Sequence, residues 1–169
     1  MKRPLRRTNN TILIVVEGYT EDAFVKHLKS IYCSRDCFVT VTVKNARGHG
    51  PDGIVDTIKS AKRTAQYNLT AAVFDGDIAI TDKISKWFRD EKIELFISTP
   101  AIEATLLSIL KSRTGTSTKE CKSMLERLIS GDPTDRAYYE KNFGKSVLEG
   151  SRATTSRLND LIIFMTRKK

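Results

Sequence analysis

The sequence predicts an α/β fold of three layers, a mainly parallel central sheet flanked by helices, with a helical C-terminal part. Three observations lead to it. Short apolar runs alternate with amphipathic stretches from Ile12 to Leu110. Two of those runs, around Leu13 and Ala72, are apolar throughout, as strands covered on both faces are. From Thr118 to Met165 the pattern is almost entirely helical.

The elements follow in order. Ile12 to Val16 is a buried strand, and Glu17-Gly18-Tyr19 turns out of it. Thr20 reads as a helix N-cap, with Glu21 and Asp22 in the first turn and Phe24, Leu28, Ile31 and Tyr32 on one face. Phe38 to Val43 alternates apolar and hydroxyl residues, which predicts a half-buried strand. Asn45 to Gly53 is a loop by its glycines and proline. Ile54, Ile58, Ala61 and Ala65 then repeat at helical spacing, with Lys59, Lys62 and Arg63 on the other faces. Thr70 to Phe74 is a second buried strand, ending at Asp75. A helix over Asp82 to Glu91 and a strand over Ile93 to Ile97 follow, and Pro100 opens a further helix through Ala104, Leu107 and Leu110. The C-terminal helices are expected to break at Gly131-Asp132-Pro133 and near Gly144 and Gly150. The division expected is a basic arm over residues 1–10 and a single domain over 11–169, its core at about 11–110 and its helical part at about 111–166.

Composition narrows the partners. The chain has 169 residues, 29 Lys and Arg against 20 Asp and Glu, and a net charge of +9. A basic surface favours polyanions, nucleic acid before anionic membrane. The run Ile12 to Val16 is far too short to span a bilayer, and no apolar stretch follows the basic start as a secretory signal requires. The chain is expected to be cytoplasmic. Cys33, Cys37 and Cys121 form no disulfide framework, and with His27 they match no standard zinc spacing, so buried or half-buried thiols are the better reading.

Ligands in parallel α/β sheets bind beyond the carboxyl ends of the strands. Glu17 follows the first strand there, and Asp75 and Asp77 follow the Thr70–Phe74 strand. If those strands are neighbours, three carboxylates converge, and like charges pack at such a place only around a cation. Hard oxygen ligands suit Mg²⁺ or Mn²⁺. A phosphodiester would be repelled by bare carboxylates and drawn in once metal is bound. Gly18 and Gly76 leave room for a close approach.

The string ILIVVEGYTEDAF resembles the first motif of Toprim domains, and AAVFDGD resembles the second, a strand ending in Asp-x-Asp. The resemblance implies a Toprim-like three-layer fold, with Glu17 as the catalytic glutamate and Asp75 and Asp77 as metal ligands. A closer similarity is to the small RloB-like proteins, through VEGYTE, GHGPDGIV, VFDGD, STPAIEATLL and YYEKNFGKS, over roughly residues 11–150. It adds Glu21 and Glu103 as candidate ligands, although Ala101-Ile102 stand where that family usually has a cysteine and an aromatic. Lys141 and Lys145 are candidates to stabilise transition-state charge, Lys145 being the catalytic candidate, and His49 reads as a surface histidine in its glycine loop.

Two functions follow as expectations. One is a divalent-metal-dependent nuclease cutting DNA or RNA, as the related OLD-type enzymes do. The other is a non-catalytic nucleic-acid-binding or scaffold protein, as in RecR-type proteins. With no room for a tyrosine-bearing or template-binding domain, topoisomerase and primase are disfavoured. The RloB-like resemblance also implies a role in phage or mobile-element defence. Any ATP-driven step would need a separate ATPase partner, since the chain has no Gly-x-x-x-x-Gly-Lys-Ser/Thr loop. The oligomeric state stays open.

Overall fold

A computed structural model describes residues 10–33 and 38–168. The basic arm therefore falls, but for Asn10, outside the described residues, as does Cys37. The expected architecture is present: four strands, all parallel, in the order β2-β1-β3-β4, between two layers of helices.

The central strand β1 (Asn10–Val16) is apolar on both faces because both faces are covered. Ile12, Leu13, Ile14, Val15 and Val16 are all fully buried. The next strands are β2 (Val39–Asn45), β3 (Leu69–Asp75) and β4 (Glu94–Ser98). The edge strands β2 and β4 are less buried than β1 and β3, which explains their more mixed composition.

On one face Ile12, Ile14 and Val16 pack against α1 (Tyr19–Tyr32) through Phe24, Val25 and Leu28. The C-terminal helices complete that layer: α4 (Ile102–Ile109), α5 (Thr118–Leu128), α6 (Arg136–Asn142), α7 (Lys145–Ser151) and α8 (Ser156–Met165). On the other face Leu13, Val15, Ala72 and Phe74 pack against α2 (Gly50–Thr64) and α3 (Asp82–Asp90). The chain thus leaves β1 toward one side of the sheet over one face, then crosses to the other side over the opposite face. Between β1 and β3 the winding reverses, which opens a crevice at their carboxyl ends.

Local chemistry moved several expected boundaries. Gly18, not Thr20, caps α1, because Gly18 O accepts from both Asp22 N–H and the Asn45 amide. Helix α2 begins at Gly50, inside the expected loop, with Pro51 preset for a first turn, while Ala65 already lies beyond its end in extended backbone. Pro100 follows a cis peptide ahead of α4 and does not open the helix. The break expected near Gly150 follows it directly, since α7 ends at Ser151. Among the described residues no helix is long and apolar enough to cross a membrane.

Because β1 is covered on both faces and flanked by two strands, its side chains have little room to relax. Ile14→Ala should lower the unfolding free energy by about 2–5 kcal/mol, read from the denaturant midpoint at unchanged m-value.

Candidate metal centre at the carboxyl edge of the sheet

Register places the first two carboxylates. Val16 pairs with Val73, so Glu17 leaves β1 beside the end of β3. Glu17 N–H donates to Val73 O at 3.0 Å. The Glu17 carboxylate in turn makes a long contact of 3.4 Å with the Asp75 N–H. The two motifs therefore meet across the crevice where the sheet changes its direction of winding.

The other carboxylates arrive on helix starts and a turn. Glu21 lies in the first turn of α1 and is buried. Its Oε2 folds back so closely that a Cβ on Gly18 would stand 2.9 Å away, so a side chain at residue 18 would displace it. Asp75 Oδ1 accepts the Ile102 N–H at 2.8 Å, tying the end of β3 to the start of α4. Glu103, next along in that helix, is 5% exposed and carries a carboxylate oxygen with no hydrogen-bond partner among the described residues. Asp77, exposed in the turn after β3, accepts from the Thr118 hydroxyl at 2.6 Å.

The electrostatics join the five into one group. Burial is the main reason the Glu17 carboxyl is raised, with Asp77 adding repulsion and the Asp75 N–H opposing it. Burial also raises Glu21, opposed by its own backbone N–H, with repulsion from Glu17 and Glu103. Asp75 is pushed up to about 8, by burial first and by Glu21, Glu103 and Asp77, against the pull of the Ile102 N–H. Glu103 is raised by burial and by Asp77, partly offset by Lys122. The Asp75 side chain, close to Glu21, pulls slightly the other way on the Glu21 carboxyl, lowering it.

Among the described residues, no three His, Cys, Asp or Glu side chains stand as a ready metal-ligand set. Their oxygens are turned instead to the Asp75 and Ile102 amides and to Thr118. The donor chemistry nonetheless fits a hard divalent cation. All five donors are carboxylates, and the Glu103 Oε2 is a buried acceptor without a hydrogen-bond partner among the described residues.

Some residues around the site were not legible in advance. Lys122 Nζ lies 4.0 Å from Glu103 Oε1. Thr118 and Lys122 are four apart on α5, a helical pairing that gains meaning only once α5 is known to pack on α4. Tyr138 and Tyr139 are buried beneath the group, and Tyr139 donates to Thr20 O. The Tyr138 phenol is pushed up to about 12 by burial, then by Glu103 and Glu126. The loop after β2 closes over Glu17, with Gly48 N–H on Glu17 O at 2.8 Å. Arg47 and His49 stand exposed on that loop.

Lys145 sits elsewhere. It is exposed in the first turn of α7, where its charge acts on Glu149. Lys141 is likewise exposed, in the last turn of α6. Cys121 is a buried thiol directed to Gly115 O, and Cys33 donates to Met165 O. His27 bonds Phe143 O through Nε2, so these three side chains answer to different backbone partners. Comparison with protein-family models, with curated proteins and with solved structures finds no match.

A carboxyl whose folded-state pKa is raised binds its proton more readily in the folded than in the unfolded chain. The folded protein therefore holds the extra proton between about pH 4, the unfolded value of an aspartate, and about 8, where folded Asp75 titrates. In chelator, stability should fall as pH rises through that window. Mn²⁺ at about a hundredfold excess over its Kd should raise Tm at pH 8 by about 5–10 °C and much less at pH 5. Asp75→Asn keeps an oxygen for the Ile102 N–H while removing a charge, so in chelator at pH 8 it should melt higher than wild type and respond little to Mn²⁺. Thermal melts at the two pH values, with and without metal, check all three outcomes.

Proposed function

We propose that the chain is a divalent-metal-dependent nuclease that cleaves phosphodiester bonds in DNA or RNA. The observation that carries this reading is the meeting of Glu17, Glu21, Asp75 and Glu103 in one crevice, each raised in proton affinity by burial and by neighbouring carboxylates, with the exposed Asp77 adding to that repulsion. A purely structural cluster would be expected to carry its own cations. Here the only ion pair to the group among the described residues is Lys122 with Glu103, at the limit of contact.

Mg²⁺ or Mn²⁺ would be held by these carboxylates, and when bound supplies charge for a phosphate oxygen and lowers the pKa of a water. The chain's own groups do the rest. Glu17 is half-buried with raised proton affinity, which suits it to take a proton from an attacking water. The Ile102 N–H fixes Asp75, and the Thr118 hydroxyl fixes Asp77, so both approach from set directions. Arg47, on the loop that closes over Glu17, offers a guanidinium at the rim where an anionic strand would enter. The charge balance supports a polyanionic substrate, since five of the 20 acidic residues are gathered in this crevice and 29 basic residues remain. The resemblance to Toprim and RloB-like proteins points to the same chemistry.

Cleavage of a panel of DNA and RNA forms with Mn²⁺ should be lost in Asp75→Asn, by about a thousandfold or more, while binding in chelator persists or strengthens, because one repelling charge is gone. Equal rates for the two proteins would remove the site. Binding by both without cleavage by either would favour the non-catalytic nucleic-acid-binding alternative. That binding should also weaken at least about tenfold between 0.05 and 0.2 M salt as counterions are released. A flat profile would point to a partner other than a polyanion.

A further inference from the structure

A second cleft, between α4 and the start of α8, has the opposite chemistry. It encloses about 250 Å³, seven of its nine lining residues are Ser or Thr, and no Asp or Glu lines it. A cleft so composed offers hydrogen-bond donors without negative charge.

Three of the hydroxyls are committed and one buried hydroxyl stands apart. Ser108 donates to Ala104 O at 2.9 Å, Thr154 donates to Ser151 O at 3.1 Å, and Thr105 shares a hydrogen bond with Ser98. Those are committed within the fold. Thr155 is not: it is 5% exposed, and its Oγ1 has no hydrogen-bond partner among the described residues. A buried hydroxyl left in that state is rare, and marks a place where a partner belongs.

Thr155 is also the N-cap residue of α8, and it makes no side-chain cap bond. Its carbonyl already accepts the Asn159 N–H at 3.1 Å. The amides of Ser156, Arg157 and Leu158 have no acceptor within the helix, and they form the positive end of a ten-residue helix. Arg157 lines the same cleft, is exposed, and enters no ion pair among the described residues. Three kinds of donor therefore belong to one short stretch of the cleft wall: a buried hydroxyl, helix amides and the Arg157 guanidinium. That combination suits the several oxygens of a tetrahedral oxyanion.

The cleft adjoins the carboxylate crevice. Thr99 lines it, and the residues on either side of Thr99 hold Gly76, whose N–H donates to Ser98 O at 2.7 Å and to Pro100 O at 3.1 Å. Glu103 belongs to the crevice, whereas Ala104, Thr105 and Ser108 line the cleft, so α4 divides the two. We propose that this cleft binds a phosphoryl group and, resting on the nuclease reading above, that it holds a backbone phosphate flanking the one at the carboxylates.

The test is read in chelator, where no cleavage intervenes. Inorganic phosphate, titrated against chloride at fixed ionic strength, should shift the backbone amide NMR signals of Ser156, Arg157 and Leu158. Arg157→Gln, at an exposed position, should weaken the effect about tenfold with an unchanged circular dichroism spectrum. Thr155→Val should weaken it similarly. A short single-stranded oligonucleotide that moves the same signals identifies the source as a nucleic-acid backbone. If phosphate alone moves them, the ligand is a free phosphate or phosphomonoester, and the site stands without the flanking role. Signals that move no further than in chloride, or that move equally in Arg157→Gln, overturn the proposal. The nuclease reading is judged separately by Mn²⁺-dependent cleavage, so either can fail without the other.

Discussion

The hydrogen bond from Ile102 N–H to Asp75 Oδ1 joins two parts of the chain that otherwise belong to different layers. It ties the end of a central strand to the first turn of the helix that begins the C-terminal half. Glu103 follows directly, so this one bond sets how near the last carboxylate comes to the others. The bond also opposes the repulsion it creates, since an amide at the positive end of a helix favours a charged Asp75. Burial and three neighbouring carboxylates outweigh it, and Asp75 remains far above the usual aspartate range.

The same balance recurs around the crevice. Glu21 and Glu103 both occupy first turns, where a negative charge is favoured, yet both are raised, because burial desolvates each of them. The fold accommodates the strain by position. The carboxylates lie at or just beyond the carboxyl ends of the strands, where no apolar layer has to be interrupted, while the sheet below them is filled by Val16, Val73 and Phe74. Stability and site are thus separated along the strand axis.

Much of this was visible in the sequence, for reasons that differ by residue. Ile12 to Val16 and Ala71 to Phe74 are apolar at every position, which only a doubly covered strand explains, and so the residues after them had to lie at the sheet's open end. Glu17, Asp75 and Asp77 followed from that geometry. Glu21 and Glu103 came through resemblance to known motifs, because a glutamate in a first helical turn has an equally good local explanation. Thr118 and Lys122 were hidden, since their role depends on how α5 lies against α4, and no local pattern encodes that docking. Thr20 misled because a threonine ahead of two acids is a good cap, whereas Gly18 was already held by Asn45 from the neighbouring strand. The loop around His49 misled in the opposite direction, since Gly50 and Gly53 sit within a helix.

The strand order has a consequence for how the molecule is made. β1 is made before either of its sheet neighbours, yet it lies in the middle of the sheet, and its second neighbour is encoded 57 residues further on, the separation of Thr11 from Asn68. Until that later segment appears, one side of a strand with five consecutive apolar residues has unpaired amides and carbonyls. A nascent chain at that stage is an open template for other extended chains, and its protection depends on how quickly translation delivers β3.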